Sequence, residues 1–596
     1  MEKWLVAAKK ADFGLWGQKF NIDPVLARII RNRDVIEEDE VRKFLYGTLE
    51  DCHSPWLLYG MEQAVELLNS KIESGCHIRV IGDYDVDGIC SSYILTYGLQ
   101  QAGACVDTAI PHRMKDGYGL NEHLIQDAYG AGVQCIVTCD NGIAAVEQVR
   151  LAKELGIRVI VTDHHEVPFE EDETGRREIL PPADVIVNPK QECCAYPFKS
   201  ICGAVVAYKV IQALFEKIQY SKAEIVLREL LPFAAMATVC DVMELKDENR
   251  ILVKEGLKQI KESSNWGLKA LFEVNEIEPA KASAYHLGFV IGPCLNATGR
   301  LDTALRALEL LQSKSKAEAM IAAMELKELN DSRKNLTLKG LEEAEDQIQA
   351  EKLYEDKVMV VYLPQVHESL AGIIAGRIRE KYHHPVFVLT DGEEGVKGSG
   401  RSIEAYHMYD AMVQVKEHFS KFGGHKLAAG LTLCDSDVDG FRQALNEKAE
   451  LAEEDFGPVV HIDVPMPMTY AGFELAKQLQ LLEPFGVGNA KPLFAQKDIS
   501  VLFRDTVSLF ERIGATGAYA KFLVEADTGA YGNKIELMYF GDVDAFCFFL
   551  DEKYGTGSAV NLFEGRGRFS LSVTYQTGIN AYRGKESIQF IMQNYC

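Results

Sequence analysis

The chain has 596 residues, of which 47% are hydrophobic and 25% are charged, a composition typical of a folded protein with three or four domains. Its net charge of -25 argues against a protein that coats nucleic acid, but not against an enzyme with a local basic groove and acidic metal ligands. The 14 cysteines include no CxxC pair, which excludes ordinary zinc-site spacing and indicates reduced thiols.

The sequence predicts neither an N-terminal targeting segment nor a membrane span. The apolar run at the N-terminus is too short for a signal peptide. The longest apolar stretches, 201–215 and 231–240, are too short or are interrupted by Lys209. We therefore expect a cytoplasmic protein.

Residues 1–55 predict a small helical arm, and residues 56–302 predict an α/β domain. Short β-branched runs alternate there with helix-like stretches, which is typical of a parallel sheet covered on both faces. The runs are 77–81, 135–138, 158–162 and 184–187.

Three further segments follow. Residues 303–354 contain almost no Gly or Pro and predict long connecting helix, with a coiled-coil dimer arm as the alternative. Residues 355–452 predict a second α/β domain with two Gly-rich loops, and 453–596 predict a small antiparallel β-barrel.

The most informative motif is an acidic stretch directly after the first apolar run. Asp83, Asp85 and Asp87 lie within five residues, and their side chains can converge if the strand geometry continues. Such a group of anions is costly unless a cation neutralises it, although a solvated acidic turn is the simpler alternative. A calcium-binding EF-hand loop is excluded because Ile94 stands where the loop requires Glu.

Further acids and histidines follow other apolar runs. They are Asp140 with Asn141, the trio Asp163, His164 and His165, and Asp241. Each alone is usually a helix cap or a surface residue, but ligands of parallel sheets bind at the carboxyl ends of the strands. Together these residues predict a pocket of carboxylates and imidazoles with enough ligands for two divalent ions, Mn²⁺ or Mg²⁺.

These motifs, in this order, resemble the DHH phosphoesterase superfamily, and later motifs resemble its RecJ branch. The similarity extends from about residue 50 nearly to the end of the chain. The motifs are DYDVDG at 83–88, DNG at 140–142, DHH at 163–165, IPHR at 110–113, GYGL at 117–120, NATGRL at 296–301, HESLAG at 367–372, GSGRS at 398–402, FGGH at 422–425 and LEPFGVGN at 482–489.

The resemblance implies the fold, which is a parallel-sheet DHH domain, a long connecting helix, a DHHA1-type α/β domain and a C-terminal barrel like an OB-fold. It also implies metal ligands at Asp85, Asp87, Asp140, His164 and Asp241, with Asp83 as a further ligand or as a residue that contacts the ligands. Catalytic roles are expected for Asp140, Asn141, Asp163 and His165, where Asp163 orients a neighbouring imidazole and His165 contacts the scissile phosphate or a metal.

Residues that would hold the strand lie in both α/β domains. The GSGRS and FGGH segments offer backbone N–H groups and close approach to phosphate, although tight turns are the simpler interpretation. Arg113 and Arg300 are candidates for a terminal 5′ phosphate, and Tyr118 for stacking on a base, against ordinary surface and core roles. The remaining candidates are Ser399, Arg401, Gly423, Gly424 and His425.

The implied activity is metal-dependent 5′→3′ hydrolysis of single-stranded DNA to 5′-mononucleotides, in DNA repair and recombination. A RecQ-type helicase and a single-strand-binding protein are the implied partners, and a monomer is expected. The alternatives are a nano-RNase, a cyclic-dinucleotide phosphodiesterase or a pyrophosphatase, which lack the C-terminal barrel, and a replication scaffold with eroded motifs.

Overall fold

The structure is a computed structural model in which two units are described separately. One unit contains Cys52–Met243 and Ile251–Pro458, and the other contains Glu2–Asp51, Glu244–Arg250 and Val459–Cys596. The described residues are 2–113, 116–117, 119–172, 175–392, 395–433, 437–501, 510–513, 519–525, 534–564, 569–582 and 584–596.

The first unit begins with the predicted parallel sheet, which has five strands. In spatial order they are Cys105–Ala109, His77–Ile81, Cys135–Cys139, Arg158–Thr162 and Val185–Val187. The three inner strands are almost entirely buried, as expected for a sheet covered on both faces. The edge strand Cys105–Ala109 was not predicted, because its partly exposed residues include Asp107 and Thr108 and give no apolar run.

Helices cover both faces of this sheet. The helix Val86–Gln101 is buried along most of its length and packs against Gly203–Lys217 and Ala223–Cys240. A two-stranded hairpin, Phe169–Asp172 with Gly175–Glu178, stands apart from the sheet. The remaining helices up to residue 311 are Met61–Glu73, Glu122–Gly130, Val146–Glu154, Asp247–Ile260, Trp266–Val274, Ala284–His286, the π-helix Leu287–Ile291, Gly292–Leu301 and Leu305–Leu311.

The predicted connecting helix is present as Lys316–Ala350, preceded by a break at Ser315, which caps its N-terminus. It leads to a second five-stranded sheet, ordered Phe419–Gly424, Ala428–Leu433, Gly395–Arg401, Val386–Gly392 and Met359–Tyr362. Only the last two strands are parallel. The helices of this domain are Glu368–Tyr382, Met408–Gln414 and Val438–Lys448.

The second unit contains the barrel. Five strands close into a ring because Phe494–Val501 pairs with both Phe569–Tyr582 and Tyr519–Glu525, while Lys534–Tyr539 and Lys585–Tyr595 complete the circuit. A closed five-stranded barrel is the OB-fold arrangement. Val464–Pro465 and Phe510–Ile513 extend the sheet, and the helices are Phe473–Leu479, Val543–Tyr554 and Ser558–Phe563.

The N-terminal arm packs in the same unit as the barrel. Its strand Lys3–Val6 pairs in parallel with Val459–Ile462, and its apolar residues share a core with those of the barrel. Its helices are Phe13–Phe20, Pro24–Asn32 and Glu38–Tyr46. Across the described residues, every helix is too short or too polar to cross a lipid bilayer.

Candidate metal centre and phosphate-binding cluster

Two carboxylates of the acidic motif are held at the N-termini of two helices. Strand His77–Ile81 ends just before the motif, and Asp85 caps the next helix by accepting a hydrogen bond from Gly88 N at 3.0 Å. Asp87 accepts bonds of 2.7 Å from the first two backbone N–H groups of helix Gly203–Lys217. The partial positive charge of a helix N-terminus stabilises an ionised carboxylate, so these contacts fix both side chains in the site.

His164 lies where the predicted acids converge. Its Nε2 atom is 3.1 Å from Asp140 Oδ1, 3.5 Å from Asp87 Oδ2 and 3.7 Å from Asp241 Oδ2. Nε2 is buried, and none of the described residues forms a hydrogen bond with it. Carboxylate oxygens around an imidazole nitrogen are the donor set of Mn²⁺ or Mg²⁺ sites, so these residues fit a divalent cation.

His165 lies beside this donor set and is oriented by Asp163. The distance from His165 Nδ1 is 2.7 Å to Asp163 Oδ1 and 3.9 Å to Asp140 Oδ1. The Asp163 carboxylate also accepts hydrogen bonds from the backbone N–H groups of Ile143, His164 and His165. Asp163 therefore shapes the loop that presents both histidines.

The buried acids of the site repel one another electrostatically. Burial, and then the charge of Asp85, raises the pKa of Asp83 to about 8. Burial, and then the charge of Asp87, raises the pKa of Asp241 to about 8 and holds that of Asp140 well above its usual range. A bound divalent cation would offset this repulsion, which is the second reason that the residues fit a metal.

The two imidazoles have opposite environments. Burial lowers the pKa of His164, and the carboxylates around it do not compensate fully. Burial also disfavours the charged form of His165, but the hydrogen bond and charge of Asp163 outweigh it and raise the pKa to about 9. His164 therefore has the neutral character of a metal ligand, whereas His165 does not.

The Asn141 side chain forms hydrogen bonds with the backbone around the site. Its Nδ2 donates to the carbonyl oxygens of Ile81 and Cys139, at 3.1 and 2.9 Å, and so ties together the ends of two neighbouring strands. The preceding residue, Asp140, has a φ of 60°, a left-handed conformation that Asp tolerates better than most residues. The Asn141 amide thus stabilises the turn that presents Asp140.

Close packing around the acids depends on residues to which the sequence assigned no role. A Cβ at Gly203 would lie 2.7 Å from Asp140 Cβ, so only glycine allows this approach. Asn296 Oδ1 accepts a 3.1 Å bond from Val86 N, immediately after Asp85. The NATGRL motif contained Asn296, but no motif or pattern in the sequence singled out Gly203.

Arginines form a second cluster in the same unit. Arg300 is partly buried and donates from Nη1 to the carbonyl oxygen of Ser369 at 2.6 Å. Burial, and then the charges of Arg113, Arg333 and Arg401, lowers the pKa of Arg300 to about 10. Within the described part of the chain, no carboxylate forms an ion pair with Arg300. Arginines that repel one another in a buried place are costly unless they bind an anion.

Tyr84 connects the arginine cluster with the acidic motif. The guanidinium carbon of Arg113 lies 5.0 Å from the centroid of the Tyr84 ring. The charges of Asp83, Arg113 and Arg300 all act on the pKa of Tyr84, which burial raises. The arginines and the acids are therefore neighbours. Arg333 was not a sequence candidate, because the connecting helix was interpreted only as a linker.

The two Gly-rich segments of the second α/β domain are strands, and the prediction of loops was wrong. Ser399 and Arg401 lie on Gly395–Arg401, which is paired on both sides, so its backbone N–H groups serve the sheet. Small residues allow the sheet to pack closely against helix Glu368–Tyr382. At Gly372 of this helix, an added Cβ would lie 3.0 Å from Arg401 Nη2. The side chains of Ser399 and Arg401, and not the backbone, face this helix.

The FGGH segment lies on an edge strand and in the turn that follows. Gly423 and Gly424 end strand Phe419–Gly424, which pairs on one side only. His425 N donates to Ala428 O at 2.8 Å, which closes the turn, and the His425 side chain is exposed. Tyr118, the candidate for base stacking, lies outside the described residues.

An exposed aromatic pair that the sequence did not reveal lies beside the Asp241 segment. The rings of Tyr285 and Phe289 stack at 5.2 Å, and the two side chains are 64% and 71% exposed. The π-helix Leu287–Ile291 packs on the residues that precede Asp241, where Cys240 Sγ lies 3.5 Å from Leu287 O. Val242, with a φ of 59°, adds a third exposed apolar side chain. Such strain and π-helices are frequent at functional sites.

Comparison with known families agrees with this architecture. The family model "DHH family, N-terminal domain" matches residues 77–238, "DHHA1 domain" matches 355–451, and "RecJ OB domain" matches 462–594. The three matches follow the order of the parallel-sheet domain, the second α/β domain and the barrel.

Individual proteins are similar over most of the chain. The single-stranded-DNA-specific exonuclease RecJ of Salmonella typhimurium is 33% identical over 96% of both chains. The single-stranded-DNA-specific exonuclease RecJ of Bacillus subtilis is 35% identical over 80% of this chain and 59% of its own length. The crystal structure of RecJ in complex with Mn²⁺ from Thermus thermophilus has a TM-score of 0.80 at 26% identity, covering 100% of this chain and 79% of that one.

Proposed function

The chain belongs to the RecJ family of single-stranded-DNA-specific exonucleases, and on this premise we propose that it hydrolyses single-stranded DNA from the 5′ end and releases 5′-mononucleotides. The observation that supports this most directly is the buried His164 Nε2, which faces the carboxylates of Asp87, Asp140 and Asp241. Beside it stands a cluster of arginines suited to phosphate.

We propose that two divalent ions, Mn²⁺ or Mg²⁺, occupy this centre. The donors support this number: Asp87, His164 and Asp241 form one set of three, and Asp140 supplies a further carboxylate oxygen 3.1 Å from His164 Nε2. Asp83 and Asp85 add negative charge close by. When bound, such ions lower the pKa of a water molecule and stabilise charge on phosphate oxygens.

The residues of the chain orient the substrate. Asp163 fixes the His165 ring through Nδ1, and we assign the other ring nitrogen to a phosphate oxygen of the bond to be cleaved. Asn141 keeps the turn of Asp140 in place through its two backbone contacts. The helix N-terminus at Gly203 holds Asp87, so that the carboxylates need little reorganisation during the reaction.

The 5′ polarity follows, in this proposal, from the arginine cluster. A terminal phosphate carries more negative charge than an internal phosphodiester, and so gains more from several guanidinium groups. Burial raises the pKa of Tyr84, which lies between Asp83 and Asp85 in the sequence, and the charges of Arg113 and Arg300 lower it. This proximity supports a terminal phosphate bound next to the acids. Ser399 and Arg401 would contact the same end of the strand from the second α/β domain.

Two other features would hold the rest of the strand. The exposed pair Tyr285 and Phe289 offers aromatic faces beside the Asp241 segment, where bases could stack in any sequence. The edge strand with Gly423, Gly424 and His425 offers unpaired backbone groups and an imidazole to the phosphates. The barrel is of the OB type, which commonly binds single strands.

The cellular setting is proposed from the family alone. We propose a role in DNA repair and recombination, action of the monomer in the cytoplasm, and cooperation with a RecQ-type helicase and a single-strand-binding protein. Functional domain boundaries near residues 55, 302, 354 and 452 are part of the same proposal.

A direct test uses a 5′-phosphorylated oligonucleotide labelled at its 3′ end, incubated with Mn²⁺, Mg²⁺ or EDTA beside a blunt duplex. We expect progressively shorter labelled fragments from the single strand only, in the presence of metal only. Asp140→Ala should abolish the ladder, and Asp439→Ala, an exposed acid of the second α/β domain, should not. An intact oligonucleotide with both metals would refute the proposal and redirect the search to dinucleotides and pyrophosphate.

A further inference from the structure

A cavity of about 470 Å³ lies in the first unit, lined by a set of residues separate from the candidate metal centre. Its walls come from the C-terminal half of helix Val86–Gln101, from helix Ala223–Cys240, and from the segments around Asn265 and Leu311. Its volume is within the range of pockets that bind small molecules.

The floor of this cavity is rigid and aromatic. Tyr93 and Tyr97 stack with ring centroids 5.7 Å apart and planes 15° from parallel. Asn265 Nδ2 donates to Tyr93 Oη at 2.8 Å and to Leu311 O at 2.7 Å, which ties the floor to the rim. Trp266 is 39% exposed at the rim.

The charge of the lining indicates what the cavity accepts. Three carboxylates, Glu229, Glu309 and Glu318, line it, against a single cation, Lys314. An anion such as a nucleotide is therefore disfavoured. The Trp266 ring already has a cation on one face, since Lys269 Nζ lies 5.3 Å from its centroid. Carboxylates combined with exposed aromatic faces are the features that bind organic ammonium groups.

We propose that this cavity binds an aliphatic di- or polyamine. The ammonium groups would pair with Glu229 and Glu309, and the methylene chain would lie on the rings of Tyr97 and Trp266. An inorganic divalent cation fits less well, because it gains nothing from the aromatic faces.

The cavity also lies on the two helices that carry acids of the metal centre. Ten residues of helix separate Asp87 from Tyr97, or about 15 Å, and twelve separate Glu229 from Asp241, or about 18 Å. A molecule that bridges these helices would brace them at the ends remote from the acids. This role is independent of the proposed exonuclease activity, since the site needs neither DNA nor metal.

Calorimetric titration of spermidine into the full chain, without DNA and at physiological salt, tests the proposal. We expect saturable binding to one site that quenches Trp266 fluorescence, with the quench lost in Trp266→Phe. The double variant Glu229→Gln with Glu309→Gln should bind at least about tenfold more weakly. The control Glu342→Gln with Glu447→Gln changes the net charge equally at exposed positions and should bind like the parent.

The proposal is overturned if the parent shows no saturable binding, or if the two double variants bind spermidine equally. The second result would mean that the amine only condenses on an acidic surface. Because the readouts are heat and fluorescence without DNA, either failure leaves the exonuclease test unaffected.

Discussion

Asp163 Oδ1 lies 2.7 Å from His165 Nδ1, while the same carboxylate accepts backbone hydrogen bonds from both histidines of the loop. Asp163 should therefore orient the His165 ring without itself binding a metal ion. Asp163→Asn keeps an accepting oxygen but loses the charge that holds the imidazole, so we expect hydrolysis to fall about 10- to 100-fold. Calorimetry should still detect Mn²⁺ binding.

The matched control is Asp184→Asn. Asp184 also accepts a backbone bond, from Val159 N at 2.9 Å, and it pairs with Arg158, but it lies at the opposite end of the sheet strands. The Asp184→Asn variant should have a lower Tm than the parent but the same hydrolysis rate. Equal activity losses in the two variants would contradict the orienting role of Asp163.

A methyl group at Gly203 should disturb the metal centre although no ligand is replaced. The added Cβ would lie 2.7 Å from Asp140 Cβ and must displace that side chain. Gly203→Ala should therefore weaken Mn²⁺ binding and reduce hydrolysis by at least about tenfold. Gly376→Ala is the control, because a Cβ there meets nothing within 4 Å in helix Glu368–Tyr382. It should stabilise the protein by about 0.5–1 kcal/mol and leave activity unchanged.

The sequence predicted the parts of the centre that its local patterns encode. Apolar runs followed by acids predicted that Asp87, Asp140, His164 and Asp241 would meet at one edge of a sheet, and the structure brings them together. Such convergence is predictable because parallel strands share the orientation of their carboxyl ends.

Other features could not be predicted, because they depend on contacts distant in sequence. Gly203 matters only through its approach to Asp140, and Arg333 only through its position near Arg300. The GSGRS segment misled for a different reason. A Gly-rich segment can form either a loop or a strand that packs closely against a helix. The sequence does not distinguish the two, because the close contact between Gly372 of the helix and Arg401 of the strand is seen only in the folded structure.

Metal should stabilise the folded chain, and Asp140 should be required for this effect. In EDTA the buried acids repel one another, whereas Mn²⁺ at about 100 times its Kd should stabilise the fold by about 2.7 kcal/mol. Asp140→Asn should give a higher Tm than the parent in EDTA and little further rise with Mn²⁺, measured by calorimetry. Asp439→Asn should keep the full rise. A full Mn²⁺ shift in Asp140→Asn would exclude Asp140 as a ligand.

Arg300→Met should separate function from stability. The guanidinium is partly desolvated and is repelled by other arginines, so its removal should stabilise the fold by about 1 kcal/mol. The preference for a 5′-phosphate over a 5′-hydroxyl should fall about tenfold in kcat/KM, as expected when a charged hydrogen bond is lost. Arg228→Met, at an exposed pair with Glu224, should change neither quantity. An unchanged phosphate preference in Arg300→Met would place the polarity determinant elsewhere.

The aromatic pair should act on strand binding and not on bond cleavage. Stacking on a base contributes about 1–3 kcal/mol, so Tyr285→Ala with Phe289→Ala should raise KM for an oligonucleotide by at least about fivefold. Hydrolysis of a nitrophenyl ester of a mononucleotide should keep its rate, because that substrate has no neighbouring base. Tyr129→Ala removes another exposed tyrosine, which lies on a different helix, and should leave the hydrolysis of both substrates unaffected. Quenching of 2-aminopurine by the parent and not by the double variant would locate the stacked base, whereas equal quenching by both would show that the pair does not contact the strand.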